Sequence, residues 1–252
     1  MRIAILSDVH GNLFSLERVL AELSRESVDE IVCLGDVAAT GPQPRETLLR
    51  LRSLNLPVVM GNTDCWLLNP TPERSTSRMY ATPKKQEDPL KVEEIDFWCV
   101  KQLSSTDIDY LKTFKPTLEM LLGDGMKLLC FHGSPLSNKD IITATTKEED
   151  LARMLSPVAP LMVGGHTHTQ MLRHYNDIIL LNPGSVGFPH QSMSSEGYVR
   201  NPPWAEYAIV CYNDGRLSID FRRTRIDVKA VIEAAFVSGM PHAEWWARGW
   251  TI

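Results

Sequence analysis

Along the first quarter of the chain, short apolar runs alternate with amphipathic stretches in a strand–helix–strand rhythm. Arg2 to Ser7 carries the contiguous apolar residues Ile3, Ala4, Ile5 and Leu6 and reads as a buried strand. Leu13, Leu16, Val19, Leu20 and Leu23 then recur at three- and four-residue intervals, which predicts a helix capped by Asn12 and running to about Arg25. A second strand follows over Glu30 to Asp36, so the unit is βαβ, and its strands are expected to pair in parallel through a right-handed crossover. The turn-rich Thr40-Gly41-Pro42-Gln43-Pro44 leads into a helix over about Arg45 to Leu54, with Leu48, Leu49 and Leu51 on its apolar side. A third strand is predicted over Pro57 to Met60.

The rhythm stops from Trp66 to about Asp88, where prolines, clustered Ser and Thr, and Lys84-Lys85 give neither period. This stretch reads either as a surface loop or as a lid over a site, since long irregular segments inside compact domains are often functional. Helices are predicted over Val92 to Leu103 and from Ser105 or Thr106 to Thr113, closed by Lys115-Pro116. The second half is richer in strands. Leu118 to Leu122 and Met126 to Phe131 flank Gly123-Asp124-Gly125, and Ala205 to Tyr212 and Arg216 to Arg225 flank Asn213-Asp214-Gly215, both strong hairpin signals. Between them lie a helix over Lys147 to Leu155, a strand ending at Val163 and a strand over Ile178 to Leu181. Asp227 to Val237 and Pro241 to Trp250 read as closing helices. No internal repeat or linker interrupts the pattern. The expected class is α/β: two packed sheets with helices outside, formed by residues 1–252 as a single domain with an irregular segment at 66–88.

Composition changes this picture little. With 43% apolar and 23% charged residues, the chain has the balance of a globular protein that does not need a membrane. A net charge of −5 argues against broad electrostatic binding to nucleic acid or an anionic membrane. The five cysteines are unclustered, and Cys33, Cys130 and Cys211 fall inside apolar runs, so buried free thiols are expected rather than disulfides or a zinc site. The first strand begins almost at the N-terminus, and no long apolar run follows. A cytoplasmic protein without a membrane span is expected.

The chemistry lies at the strand ends. Asp8-Val9-His10-Gly11-Asn12, Gly35-Asp36, Gly61-Asn62-Thr63-Asp64, His132-Gly133 and Gly165-His166-Thr167-His168 each follow a short apolar run. In open α/β sheets ligands bind outside the carboxyl ends of the strands. A lone histidine there is ordinarily structural, but four of the chain's seven histidines occupy these pieces. The candidate donors are two carboxylates (Asp8, Asp36), four imidazoles (His10, His132, His166, His168) and the Asn62 amide. They exceed what one catalytic ion needs, because such sites keep open positions. They suit two ions with one carboxylate bridging. The mixture of nitrogen and oxygen without thiolate fits Mn²⁺ first, or Fe, Zn, Ni or Co, better than Ca²⁺. Two such ions attract phosphate and lower the pKa of bound water, so the expected reaction is metal-assisted hydrolysis of a small phosphate ester.

The same series resembles the calcineurin-like metallophosphoesterases, and within them the small bacterial and archaeal phosphodiesterase branch. Gly41-Pro42-x-Pro44, Asn182-Pro183-Gly184-Ser185-Val186-Gly187 and Glu206-Tyr207-Ala208 are similar to further marks of that branch. The resemblance implies a four-layer α/β/β/α sandwich. It implies one metal held by Asp8, His10, Asp36 and His168 and another by Asp36, Asn62, His132 and His166, with Asp36 bridging and a metal-bridging hydroxide attacking phosphorus. Many members carry His where this chain has Thr63; a threonine hydroxyl can hydrogen-bond phosphate but is not an acid near neutral pH. Asn12, Thr63 and His190 are the candidate substrate contacts. Asn12 is in the first place a helix cap, and His190 reads either as a surface-loop residue or as the missing proton donor. No side chain beyond the metal ligands is identified as catalytic. A phosphodiesterase is expected; the alternatives are a phosphomonoesterase or protein phosphatase of the same fold, or a non-catalytic metal-binding scaffold. Trp245, Trp246 and Trp250 read as packing residues, or as a partner surface if exposed. Oligomeric state is not legible.

Overall fold

The computed structural model describes residues 1–71, 87–190, 192–193 and 199–251. Strands β1 (Arg2–Leu6) and β2 (Glu30–Cys33) flank helix α1 (Leu13–Leu23) and pair in parallel. Helices α2 (Pro44–Ser53) and α3 (Asn62–Leu68) follow, then α4 (Glu87–Gln102) and α5 (Ser105–Leu111). The hairpin β3 (Leu118–Gly123) and β4 (Met126–Cys130) leads to α6 (Glu148–Met154), β5 (Leu161–Val163), β6 (Met171–Tyr175) and β7 (Ile178–Asn182). A two-residue ladder of β8 (Ser192–Met193) and β9 (Val199–Arg200) precedes β10 (Trp204–Asn213) and β11 (Arg216–Arg225). Helices α7 (Val228–Val237) and α8 (Ala243–Ala247) end the order. One mixed sheet runs β11-β10-β1-β2 and the other β3-β4-β5-β7-β6.

The layers follow from the two-residue period of a strand, which sends alternate side chains to opposite faces. Ile3, Ile5, Val32, Leu34, Ala208 and Val210 of the first sheet meet Leu128, Cys130, Leu161, Val163 and Leu181 of the second in one buried cluster. The intervening Ala4, Leu6, Cys33, Tyr207 and Ile209 face the other way and pack with Leu16, Val19, Leu20 and Leu23 of α1 and with Leu48 and Leu51 of α2. On the far side, Leu129, Met162 and Leu180 pack with Leu151 of α6. The result is helix, sheet, sheet, helix. Each fully buried Leu, Ile or Val contributes roughly 1.5–3 kcal/mol, so the inter-sheet cluster is what keeps the two sheets' strand ends together. Among the described residues, no helix is long and apolar enough to cross a membrane.

Several elements depart from the pattern read in the sequence. The third strand expected over Pro57 to Met60 is reduced to bridges at Val58, beside Cys33, and Val59, beside Lys115. Gly61 then opens α3, because the Asp64 carboxylate turns back to accept the Gly61 N–H at 3.2 Å and Leu67 is buried. Trp66 therefore belongs to a helix, and the irregular segment expected over 66–88 is met only at its ends, residues 72–86 lying outside those described. Helix α4 starts at Glu87, five residues before the expected Val92, with Pro89 in its first turn, where a missing N–H costs nothing. Strand β6 is hidden because Met171-Leu172-Arg173-His174-Tyr175 carries neither a continuous apolar run nor a two-residue period; the two-residue turn Asn176-Asp177, with Asn176 at φ 50°, joins it to β7. The last helix spans only Ala243–Ala247 rather than Pro241 to Trp250.

Helix α5 begins at a polar knot. The buried Asp107 carboxylate accepts from the Ser104 N–H (2.8 Å), the Ser104 hydroxyl (2.6 Å) and Arg45 Nε (3.1 Å). Burial pushes this carboxyl up, but the hydrogen bonds from Ser104 and Arg45 outweigh it and hold it below its ordinary value of 3.8. A carboxylate with a lowered folded pKa stabilises the fold above its unfolded pKa and loses that contribution as pH falls through the folded one. Asp107→Asn is therefore expected to cost about 1–2 kcal/mol near neutral pH, with a deficit that shrinks in acid. Thermal melts across the acid range measure this. A deficit independent of pH would show that shape, not charge, holds the knot.

Candidate metal centre

Every expected donor arrives at one place. Asp8 and His10 follow β1, Asp36 follows β2, and Asn62 opens α3, all from the first sheet. His132 follows β4, and His166 and His168 follow β5, all from the second. Donor atoms of Asp8, His10 and His168 lie within 4.8 Å of one another, as do those of Asp36, His132 and His166. The groups interlock: Asp36 Oδ2 stands 3.4 Å from His132 Nε2 and 3.7 Å from His10 Nε2, and Asp8 Oδ1 stands 3.3 Å from His168 Nε2 and 3.9 Å from His132 Nε2. Asn62 Oδ1 lies 2.9 Å from His132 Nε2. All seven side chains are buried.

The backbone is bent to deliver them. Asp8, His10, Asp36, His166 and His168 have φ of 53°, 49°, 53°, 68° and 55°. This left-handed region is unusual for residues with a β-carbon and concentrates at functional sites. Glycines beside the donors permit close approach. A Cβ on Gly61 would lie 2.1 Å from Asp36 Oδ1, and one on Gly165 would lie 2.0 Å from the Ser7 hydroxyl and 2.9 Å from Asp8 Oδ2.

Backbone carbonyls fix the imidazoles. Nδ1–H of His10 donates to Ala39 O (3.0 Å), that of His132 to Leu34 O (2.8 Å) and that of His168 to Phe188 O (2.8 Å). In the neutral ring, with the proton held there, Nε2 would present a lone pair inward, the arrangement that orients a metal-binding histidine. His10 and His168 Nε2 face each other at 3.1 Å. Two facing lone pairs need a positive charge between them, either a proton or a metal ion. Oδ1 of Asp8, buried and without a hydrogen-bond donor, adds to that need. The donor set fits a divalent cation.

The ionisable groups of the cluster shift one another. Burial pushes the Asp8 carboxyl up, but His168 and His132 outweigh it and hold it at about 2. Asp36 is likewise held well below the carboxylate range, chiefly by His132 against burial. Burial pushes His132 down, yet Asp36 and Asp8 raise it to about 9, and His168 is raised in the same way by Asp8. His10 and His166, where burial prevails, fall to about 4 and stay neutral.

The candidate substrate contacts are placed differently from one another. Asn12 caps α1, its Oδ1 accepting from Ser15 N at 3.1 Å, while its amide donates to Gly187 O at 3.2 Å. Thr63 uses its backbone N–H on Asp36 Oδ1 (2.8 Å), and its buried hydroxyl has no hydrogen-bond partner among the described residues. His190 lies half-buried in the loop after β7: its ring is 4.9 Å from that of His168, and its Nε2 is buried with no partner among the described residues. Several supporting residues were given no role from sequence. Asp64, buried, binds the N–H groups of Asp36 (2.7 Å) and Val37 (2.8 Å) and so holds the Asp36 loop. Burial and the neighbouring Asp36 raise it to about 7. Ser7 donates to Asp8 Oδ2 (2.5 Å), and Ser185 ties Asp8 O (2.7 Å) to Phe188 N (2.7 Å). Asn182 holds the His166 loop through Gly165 O (2.6 Å) and the Thr167 hydroxyl (3.1 Å). The only sequence signal for these was their place inside or beside the motifs.

The family model of the calcineurin-like phosphoesterase superfamily domain matches residues 1–200, which include all seven donors. The chain belongs to that family. It is 24% identical over 266 aligned positions to an uncharacterized protein of Methanocaldococcus jannaschii, covering 96% of this chain and 94% of that one. A metallophosphoesterase from Sphaerobacter thermophilus superposes with a TM-score of 0.70 at 26% identity, covering 99% and 98% of the two chains. A hypothetical protein from Pyrococcus horikoshii OT3 shares the fold at a TM-score of 0.73 and 18% identity, covering 96% and 94%.

A metal ion entering this cluster competes with the protons on His132 and His168. Uptake of Mn²⁺ by metal-stripped protein is therefore expected to release on the order of one to two protons, and affinity should rise with pH up to about 9, the value at which His132 is held. Calorimetry in buffers of different ionisation enthalpy measures the release. Uptake without proton release would mean that the ions bind elsewhere.

Proposed function

We propose that the protein is a metal-dependent phosphoester hydrolase with a dinuclear centre, acting on phosphodiesters. The observation that carries this reading is the interlocking of two buried donor groups, Asp8/His10/His168 and Asp36/His132/His166. Asp36 Oδ2, within 3.7 Å of a histidine from each, is the candidate bridge. The proposed ligands are Asp8, His10, Asp36 and His168 for one ion and Asp36, Asn62, His132 and His166 for the other. Mn²⁺ is the first candidate from the nitrogen and oxygen donors. Two such ions supply Lewis acidity, an activated water and positive charge for a phosphate.

The chain's own groups support the choice of ester. Among the described residues, the partners of both carboxylates are imidazoles, backbone N–H groups and Ser7, with no guanidinium or ammonium. Such a site has less fixed positive charge to hold a monoester dianion than a diester monoanion. The Thr63 hydroxyl and His190 Nε2, both buried and without partners among the described residues, are available to hydrogen-bond phosphate oxygens. Burial and His168 push His190 down to about 3, so it serves as a neutral hydrogen-bonding group rather than an acid.

The direct test is hydrolysis of bis(p-nitrophenyl) phosphate beside p-nitrophenyl phosphate by metal-stripped protein reloaded with Mn²⁺. Diester turnover is expected on reloading, and Asp36→Ala should lower it by more than about a hundredfold, beyond the usual loss for removing a ligand's supporting partner. A preference for the monoester would overturn the choice of substrate.

With Thr63 in place of an acid, the leaving group departs unprotonated. Aryl and nucleotidyl esters are expected to react readily and alkyl esters poorly, and Thr63→His should reduce that difference. A plot of rate against leaving-group pKa decides it: a flat dependence in the parent, with chemistry rate-limiting, would sink the idea.

A further inference from the structure

The C-terminal segment lies beyond the span matched by the family, yet it touches both supports of one donor group. Trp246, on the single-turn helix α8, is buried, and its indole N–H donates to Thr40 O at 2.9 Å. Thr40 is the neighbour of Ala39, whose carbonyl accepts from His10, and it stands at φ 76°, a strained conformation for a residue with a branched side chain. The Thr40 hydroxyl is also tied to Asp96 of α4 at 2.9 Å. On its other side the Trp246 ring packs edge-on against Phe188, with centroids 5.5 Å apart and planes at 76°. Phe188 provides the carbonyl that accepts from His168, and its ring lies 5.4 Å from that of His10. Trp250 backs the same cluster, 5.9 Å from Phe188 and 5.6 Å from Trp246. The segment is anchored independently: Asn201 pairs with Gly249 and Thr251, and His242 meets Glu94 of α4 at 2.7 Å.

We propose that Trp246 is a positioning residue for the Asp8/His10/His168 group: its N–H fixes the loop whose carbonyl orients His10, and its ring fixes the loop whose carbonyl orients His168. His132 of the other group is oriented by Leu34 O at the end of β2, which Trp246 does not touch. The two groups are thus supported by different parts of the molecule, and only one depends on the C-terminal helix. For the metal this rests on the function proposed above; for the histidine tautomers it does not.

The test uses the full chain, first without metal. Imidazole ¹⁵N shifts recorded above about pH 9, where His132 no longer holds a second proton, report which nitrogen carries the remaining one. In the parent, His10, His132 and His168 should all show a protonated Nδ1. Trp246→Phe keeps a ring against Phe188 but removes the indole donor, and should disturb His10 more than His168. Trp246→Ala should disturb both, and neither variant should change His132. Metal-stripped protein is then titrated with Mn²⁺: one class of site should weaken by about tenfold, as expected for a lost supporting contact, and the other should hold. Unchanged His10 and His168 signals in folded Trp246→Phe would overturn the proposal. Equal disturbance of all three histidines, or equal weakening of both classes, would also overturn it, because Trp246 would then support only the fold. The expected tautomer changes in a protein that binds no Mn²⁺ would uphold the positioning role and overturn the metal reading instead.

Discussion

Two carboxylates out of reach of water set the terms for this molecule. Leaving Asp8 or Asp36 unpaired in the interior would be severely unfavourable, and breaking a buried pair typically costs several kcal/mol. Their charge is matched by imidazoles that reach them from the other sheet, His132 and His168. Those imidazoles in turn keep their inward nitrogens only because Leu34 and Phe188 carbonyls hold the opposite ones. Charge, ring orientation and loop conformation therefore form one connected requirement.

That requirement is met at the expense of the backbone. Five donors sit at positive φ, each strained by roughly 1–2 kcal/mol. Together this is comparable with the whole net stability of an ordinary domain. It is sustained by the sheet cores on either side and by a set of short polar ties: Asp64 on the Asp36 loop, Ser185 on the Asp8 and Phe188 loops, Asn182 on the His166 loop. Such ties hold the loops in the conformation that brings the donors together.

The donors were legible because strand-end chemistry is local. An apolar run followed by Gly-Asp or by His beside Gly announces both the strand and the side chain at its end, and Asn12 announced its own cap. What escaped was mostly distant or disguised. Phe188 supports a histidine twenty residues away, and nothing in its immediate neighbours marks it for that task. Strand β6, at the edge of its sheet, has neither a two-residue period nor the continuous apolar run that revealed β5. Gly61 to Asp64 carries no apolar period of its own, and the return of the Asp64 carboxylate to Gly61 N makes it a helix start. His190 is a loop residue whose contact with the ring of His168 no local pattern marks.

Each donor group draws on both sheets. Asp8 and His10 stand with His168, and Asp36 and Asn62 stand with His132 and His166. Neither sheet could assemble either group alone, so the packing of Ile3, Ile5 and Val32 against Leu128, Leu161 and Val163 is also the act that builds the site. An ion bound in either group would join the carboxyl ends of the two sheets. It would draw its binding energy from donors already converged and return it as resistance to separation of the sheets. The same geometry explains why this centre is buried and strained while the chain around it is ordinary. The apolar contacts between the sheets are generic and tolerant, and the strand ends beyond them are where specific side chains must meet.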